Sequence, residues 1–467
     1  MSLEFFNTLT RAREPFAPLE VGKVSIYSCG PTVYHEVHLG NLRSFLFADL
    51  LRRSLEFLGF SVRHVMNITD VGHLESDADE GDDKMLKGAQ REKKTVWEVA
   101  RHYEELFLND ITLLGLKRPH VLCRATEHIQ AMQDMVKTLE SKGFTYTVDG
   151  NVYFDISKFP DYAKLGKLDL DRNQAGARIE ADSRKRHPAD FALWFTTSST
   201  KFPNQAMQWD SPWGRGFPGW HIECSAMATQ YLGERFDIHT GGTDLIPVHH
   251  SNEIAQSECA LGHRWVSTWL HGEFLVNGEG AKMSKSTGDF LSLKTFLAKG
   301  FKPEHYRFFC LGAHYRSPLN FTWEAATAAR SAYENLTQRL LSWKGVPGKV
   351  DAAAVETRTE AFNRALEDDL NMPAALALAW DVAKDSSIKE PTKLALLLDF
   401  DRVLGLGLAS CAPPALDEKS QALMKEREAA RARKDFKESD RLRAELLAHG
   451  LVVRDTPQGP VWHGKFE

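Results

Sequence analysis

The chain has 467 residues, 43% hydrophobic and 26% charged, with a formal net charge of −5 at pH 7. That is enough chain for about two to four domains with a sizeable core, and the composition is that of an ordinary soluble globular protein. No apolar run approaches the roughly 18 residues of a membrane-spanning helix, and the slight acidity leaves a nucleic-acid partner open only through local basic patches.

The opening, Met1 to Glu14, mixes charge with apolar residues and does not read as a signal peptide. Six Cys, at 29, 123, 224, 259, 310 and 411, contain no CxxC. A cytosolic, reducing setting without disulfides is expected.

A short apolar run, Val24 to Tyr27, predicts a strand, and Gly30 and Pro31 break it. After a second break at His38-Leu39-Gly40-Asn41, the periodicity of Leu42, Phe45, Leu46, Leu50, Leu51, Leu55 and Leu58 predicts a helix. Ser61 to Thr69 predicts the next strand. This is one βαβ unit, with its loop at the carboxyl end of the first strand, where such sheets bind ligands. Gly40 lets a phosphate approach the backbone, and the helix start offers free N–H groups and a partial positive charge. His38 and Asn41 are residue types that donate to phosphate, but a His beside a helix start is more often a cap or surface residue. Cys29 by itself reads as a small buried hydrophobe.

Residues 67–85, NITDVGHLESDADEGDDKM, carry an acidic stretch. Calcium-loop spacing fails, because Gly81 falls one place early and the last Glu is missing, so a solvated loop is expected. Thr95 to Leu114 reads as helical. From Leu116 to about Pro218 the texture changes: a helix near Glu127–Lys142, a β pair at Phe144–Val148 and Val152–Ile156, then a loop-rich stretch with many Trp, Pro and Gly. This reads as an insertion between two halves of a parallel sheet. From Phe217 the sheet-and-helix texture returns. Asp237 to Thr240 is the expected strand, Gly241-Gly242-Thr243-Asp244 its loop, and Pro247 to Leu261 the helix. His249 and Glu253 are four apart on that helix, either two ligands of one metal or an ordinary polar face.

Residues 278–289, GEGAKMSKSTGD, read as a mobile loop offering Lys282 and Lys285, or as a solvated surface loop. Thr322 to about Gly407 reads as a helix bundle, and Ala409 to Leu416, with Pro413-Pro414, as a linker. Lys419 to Arg454 reads as a basic helical module with ten Lys or Arg against six Asp or Glu, either a solvated face or a nucleic-acid footprint.

The order of these segments says more than any one of them. His38-Leu39-Gly40-Asn41 resembles the HIGH motif, and Lys282-Met283-Ser284-Lys285-Ser286 matches KMSKS letter for letter. Together they are the signature of class I aminoacyl-tRNA synthetases. CGPTVY (29–34), NITD (67–70), PGWHIECSAM (218–227), GGTDL (241–245) and HHSNEIAQSE (249–258) resemble the cysteinyl-tRNA synthetase family over essentially the whole chain. Residues 430–462 resemble that family's C-terminal module.

The resemblance implies an α/β fold: a Rossmann-type parallel-sheet catalytic domain split by a connective insertion, followed by a helical bundle and a small C-terminal domain. The implied boundaries are 1–115 and 219–280 for the catalytic halves, with 116–218 as the insertion. Residues 281–330 are the implied KMSKS loop and stem-contact region, 331–410 the bundle, and 415–467 the anticodon-binding domain. The implied reaction activates L-cysteine with Mg-ATP to cysteinyl-adenylate and passes it to the 3′ end of tRNA(Cys). One zinc per chain would sit on Cys29, Cys224, His249 and Glu253 and select cysteine over serine. His38, Asn41, Lys282 and Lys285 take the catalytic positions. Gly40 and Lys285 would meet ATP, Asp244 its ribose, and Thr69 and Trp220 the amino-acid pocket. Arg431, Asp440 and Asp455 match anticodon contacts. A cytoplasmic monomer without a membrane partner is the expected state.

Two departures stand out. Asn41 replaces the second His of HIGH, and Val71-Gly72-His73 with the acidic loop follows NITD where many members run directly into Asp-Asp-Lys. A related ligase joins cysteine to an amino-sugar in mycothiol synthesis but lacks the C-terminal module, so Lys419 to Trp462 argues against it. Intact KMSKS and a full ligand set argue against an inactive paralogue. The zinc reading needs the fold to bring distant cysteines together at one crevice. It also expects His250 to point about 100° away from His249 on a regular helix.

Overall fold

The computed structural model of the chain describes residues 3–72, 83–167, 185–197, 205–277, 291–413, 415–456 and 459–464. Lys282, Lys285, Pro414 and residues 75–82 of the acidic stretch lie outside the described residues. Two compact units emerge: residues 2–296 with 315–320, and residues 297–314 with 321–467.

In the first unit a hairpin, β1 (Glu4–Asn7) and β2 (Ala12–Pro15), precedes β3 (Lys23–Ser28). Then come α1 (Leu39–Phe57), β4 (Ser61–Ile68), α2 (Lys84–Glu92), α3 (Val96–Leu113) and β5 (Val121–Arg124). The insertion follows with α4 (Ile129–Ser141), β6 (Thr145–Val148), β7 (Asn151–Phe154), β8 (Phe191–Thr196) and β9 (Gly216–Pro218). The chain returns through α5 (Trp220–Leu232), β10 (Phe236–Gly242), α6 (Ser251–Leu261) and β11 (Val266–Gly272).

The central sheet is parallel throughout, in the order β11-β10-β3-β4-β5. Strand order therefore reverses between β3 and β10, and a crevice opens beyond the carboxyl ends of these two strands. Parallel strands covered on both faces need near-continuous apolar runs, and Ile26, Tyr27, Phe236 and Ile238 are fully buried. Trp194 of the insertion shares one core with Tyr27 and Trp269 of the sheet and with Trp265 just before β11, so the insertion is packed into the unit.

Three local expectations change. The stretch expected to be loop-rich contains β8 and β9, which complete an antiparallel sheet ordered β6-β7-β8-β9. Phe191–Thr196 is buried at all six positions, so its sequence lacks the alternation that marks a half-exposed strand. β10 runs on through Gly241 and Gly242, paired with His271 and Gly272, which shortens the expected loop to begin at Thr243. The helix expected over Pro247–Leu261 is in two pieces: a π-helical turn at Ile246–His250 and then α6.

The second unit is helical: α7 (Pro303–Leu311), α8 (Trp323–Trp343), α9 (Ala352–Glu367), α10 (Met372–Lys384) and α11 (Glu390–Leu404). Stacked Phe362 and Phe400, with ring centroids 4.1 Å apart, tie α9 to α11. α12 (Glu418–Ala432) and α13 (Phe436–Ala448) follow. The chain then forms a β-hairpin, β12 (Leu451–Thr456) and β13 (Gly459–Gly464), where the sequence pattern had suggested continued helix to Arg454. Leu423, Ala430, Leu442, Leu446, Leu451 and Val453 give this end its own small core. Among the described residues no helix is long and apolar enough to cross a membrane.

Candidate active site and metal centre

The crevice at the strand-order reversal is a cleft of about 880 Å³. His38, Gly40 and Asn41 line it from the start of α1, and Trp220, Gly242 and Asp244 line it from the second half of the sheet. His38 is the N-cap of α1. Its Nδ1 accepts from the Asn41 N–H at 3.1 Å, and Asn41 Oδ1 accepts from the His38 N–H at 3.2 Å. Cap and ligand readings therefore coexist: the cap holds both side chains at the cleft wall. The Asn41 carbonyl oxygen is spent on that cap, and its amide is the donor end. A Cβ on Gly40 would lie 2.9 Å from the His38 ring, so a side chain there displaces the cap.

Below this wall, four segments converge. Cys29 follows β3, Cys224 sits on α5, His249 on the π-helical turn and Glu253 on α6. Their ligand atoms all lie within 4.8 Å of one another. Cys29 Sγ is 4.0 Å from Cys224 Sγ and 3.9 Å from Glu253 Oε1, and His249 Nε2 is 2.8 Å from the same Glu253 oxygen. Two thiols, one imidazole and one carboxylate are a donor set that suits a borderline-soft divalent ion. The fold thus makes a Cys/His/Glu cluster able to hold a metal.

His250 departs from the expectation. It does not point away: its Nε2 is 3.3 Å from Cys29 Sγ. The helix opens into a π-turn at this point, so the spacing of a regular helix does not apply. A second set, Cys29, His239, His250 and Glu253, therefore meets the same distance condition and shares two members with the first.

The electrostatics separate the members. A hydrogen bond from Cys29, helped by His249, pulls the buried Cys224 thiol down to about 6 against burial and the nearby Glu253. Burial pushes the Cys29 thiol well up. Burial also works to neutralise His249, but Glu253 and Cys224 outweigh it and hold the imidazolium up to about 10. Burial opposes ionisation of Glu253 too, yet His239 and His249 bring its carboxyl down to about 2. By contrast, burial and neighbouring imidazoles push His250 well below the usual histidine range.

Around the cluster lies a shell of histidines that the motifs did not single out. His239 Nε2 is 2.7 Å from Glu253 Oε2, His221 Nδ1 is 2.9 Å from His249 Nδ1, and His250 Nδ1 is 2.7 Å from His271 Nε2. Such partners fix ring orientation and tautomer for the groups in front of them. The doublet His249-His250 and the His in PGWHIEC were visible signals. His239 and His271 lay in strands, where a buried His in an apolar run gives no spacing to read.

The other expected residues fall as follows. Trp220 packs against His249, ring centroids 4.4 Å apart and planes tilted by 31°, at the cleft wall. Asp244 is exposed in the turn after β10. Thr69 is buried instead, accepting from Asn67 Nδ2 at 3.0 Å and donating to Glu223 Oε2 at 2.9 Å. In the other unit, Arg431 and Asp440 have exposed side chains. The Asp455 carboxylate is held by Arg427 at 2.6 Å and Arg431 at 2.7 Å.

Residues 15–331 match the family model described as the tRNA synthetases class I (C) catalytic domain, and residues 413–462 match that of the cysteinyl-tRNA ligase anticodon binding domain. The chain is 45% identical to the cysteine–tRNA ligase of Treponema denticola, covering 99% of each. It is 48% identical to cysteine–tRNA ligase 1 of Burkholderia lata, covering 98% of this chain and 96% of the relative. Among solved structures, the methionyl-tRNA synthetase of Mycobacterium tuberculosis with methionyl-adenylate aligns at a TM-score of 0.55 and 16% identity, covering 83% of this chain and 90% of that one. The LeuRS–tRNA–LeuAMS ternary complex of Agrobacterium radiobacter aligns at 0.57 and 13%, covering 86% and 88%. At these identities the structures speak to the fold alone.

Proposed function

The chain belongs to the cysteine–tRNA ligase family of class I aminoacyl-tRNA synthetases, and from that premise we propose how its cleft activates L-cysteine and rejects serine. The observation that carries the reading is the meeting of Cys29, Cys224, His249 and Glu253 in one cluster whose Cys29 lines the same cleft as His38 and Asn41.

In the first step a carboxylate oxygen of cysteine bonds to the α-phosphorus of Mg-ATP. The bond to the bridging oxygen breaks, and pyrophosphate leaves. This step needs positioning and donors where charge builds more than covalent help. The N-terminus of α1, with His38 and the Asn41 amide, supplies donors on one side. Lys282 and Lys285 are of the right type to supply charge from the KMSKS segment, and Asp244 to accept from ribose hydroxyls. In the second step a terminal ribose oxygen of tRNA bonds to the acyl carbon, AMP leaves with the C–O bond electrons, and the hydroxyl proton passes to solvent.

Cysteine and serine are nearly isosteric. A pocket relying on shape discriminates such pairs about 10²-fold, whereas a required polar contact reaches roughly 10⁴–10⁵. Cys29, Cys224, His249 and Glu253 fit zinc by their donor chemistry; when bound, zinc supplies a Lewis acid that a thiolate satisfies and a neutral alcohol does not. Trp220, packed against His249, closes the amino-acid side of the cleft. Arg431 and Asp440 support an anticodon contact at the C-terminal end, while Asp455 serves it by holding Arg431. Six free thiols support a reducing, cytoplasmic setting, and a monomer is the proposed state.

Charging of tRNA with cysteine and with serine, with total metal measured on the same sample, tests this. One zinc per chain and a preference for cysteine of about 10⁴ or more are expected. A metal-free sample with the same preference, or cysteine transfer to an amino-sugar in place of tRNA, contradicts it.

A further inference from the structure

Beyond its first residues, which end the stretch 67–85, helix α2 was not singled out in the sequence, yet it forms a wall of the cleft. Met85, Gly88 and Ala89 are its buried side. Lys84, Lys87 and Arg91, at spacings of three and four, share an adjoining side, and all three line the cleft. By helical rise the stripe extends about 10 Å. Its placement is fixed at both ends. Asp83 caps the start by accepting from the Met85 and Leu86 N–H groups at 2.6 and 3.0 Å. Near the far end, Arg91 Nη2 donates to the Tyr34 carbonyl at 3.0 Å and to Tyr103 Oη at 3.2 Å.

Aromatic rings accompany the cations. Lys84 Nζ lies 5.5 Å from the centroid of Trp220, which itself packs against His249. At the other end the rings of His35 and Tyr103 are parallel within 3°, centroids 5.9 Å apart, and Tyr34 meets His35 edge-on. The stripe thus leads from the metal-ligating cluster to an aromatic group at the rim.

The cleft walls differ in charge. Asp244 and Glu273 follow β10 and β11, on one side of β3, and α2 follows β4 on the other. The acidic side suits ribose hydroxyls, and the N-terminus of α1 suits the phosphates of a nucleotide. That leaves the α2 side, where Glu36 is the one carboxylate among the described cleft-lining residues and Glu92 pairs with Arg91 Nε at 3.2 Å, for a polyanion that extends out of the cleft. Cations interleaved with rings are the chemistry that holds a single strand by its phosphates and stacks its bases.

We infer that Lys84, Lys87 and Arg91 seat the phosphates of the single-stranded 3′ end of tRNA, with Tyr34 and His35 as stacking faces. They are positioning residues: they bring the terminal ribose to the acyl group formed beside the metal-ligating cluster. This rests on the two-step reaction proposed above.

The test uses full-length, metal-loaded protein with Lys87→Ala, Lys87→Glu and Lys87→Arg, since Lys87 is exposed and its replacement leaves the core intact. Cysteine charging is measured against tRNA concentration at several salt levels, alongside ATP–pyrophosphate exchange. Lys87→Glu should lower kcat/KM for tRNA about 10- to 100-fold, and Lys87→Ala should flatten the log–log salt slope by about one. Lys87→Arg should stay near the unmodified protein, and the KM for ATP in exchange should change by less than about twofold in each variant. Parallel loss of exchange and charging would assign the stripe to ATP and overturn the inference. Unchanged charging by Lys87→Glu overturns it as well, while leaving the two-step reaction standing. Failure of the unmodified protein to charge tRNA would sink the reaction and this inference together.

Discussion

Asp110, on α3, shows what burial does to a carboxylate that has no use for its charge. Its Oδ2 is buried with no hydrogen-bond partner among the described residues. Burial, with Glu36 nearby, pushes its pKa from 3.8 to about 7. The folded chain therefore holds a proton here that the unfolded chain releases near pH 4. Stability from this residue falls as pH rises from about 4 to 7, and the full cost remains above 7. At about 1.4 kcal/mol per pH unit the ceiling is roughly 4 kcal/mol, and screening by solvent brings the expected cost to about 2 kcal/mol. Asp110→Asn should thus stabilise the protein by about that amount at pH 8, with the gain vanishing below pH 4. Denaturant midpoints at the two pH values measure it, and an equal gain at both would show that the charge is not the cause. Glu253 is the opposite case: fully buried, it keeps its charge because His239 and His249 stand 2.7 and 2.8 Å away.

At the scale of elements, the start of α1 does the most for the cleft. Gly40 is required by a close approach and not by backbone strain, since a Cβ there meets the His38 ring at 2.9 to 3.0 Å. Gly40→Ala should cost about 1 kcal/mol through the lost cap. It should also slow ATP–pyrophosphate exchange by about 100-fold through misplaced donors. Full exchange in this variant would mean that His38 can leave the cap without consequence. This end was legible in the sequence because His-x-Gly-Asn precedes a clean helical period. The π-turn at Ile246–His250 was not. Nothing in IPVHH distinguishes it from regular helix, and the wider turn is what lets His249 and His250 both reach the Cys29–Glu253 pair. β8 was hidden for another reason: covered on both faces, FALWFT shows no alternation.

The whole molecule divides into two compact units. The βαβ pattern and the return of sheet texture after Phe217 made the parallel sheet readable. The convergence of Cys29 with Cys224, 195 residues apart, came only from the resemblance and the fold, because ligand spacing says nothing at that range. The C-terminal hairpin was missed because the helical reading was carried past the turn at Gly450 to Arg454, although the basic run itself thins out after Arg443. Since that end carries its own core, a chain ending at Ala412 should retain ATP–pyrophosphate exchange. It should lose about 100-fold or more in kcat/KM for tRNA, the scale of two or three lost base contacts. Unchanged charging by the shortened chain would remove the anticodon role.

The central claim is that one metal, held by Cys29, Cys224, His249 and Glu253, selects cysteine. Cys224→Ser tests it most directly, because Cys224 belongs to one candidate ligand set and not to the other. Zinc content and the KM for cysteine in ATP–pyrophosphate exchange are read on the same preparation, with Cys123→Ser and Cys259→Ser as buried controls. The account predicts that Cys224→Ser lowers zinc content and raises the cysteine KM by about 10-fold or more, with the ATP KM within about twofold and both controls normal. Full zinc and unchanged cysteine affinity in Cys224→Ser, or their loss in a control, would contradict it.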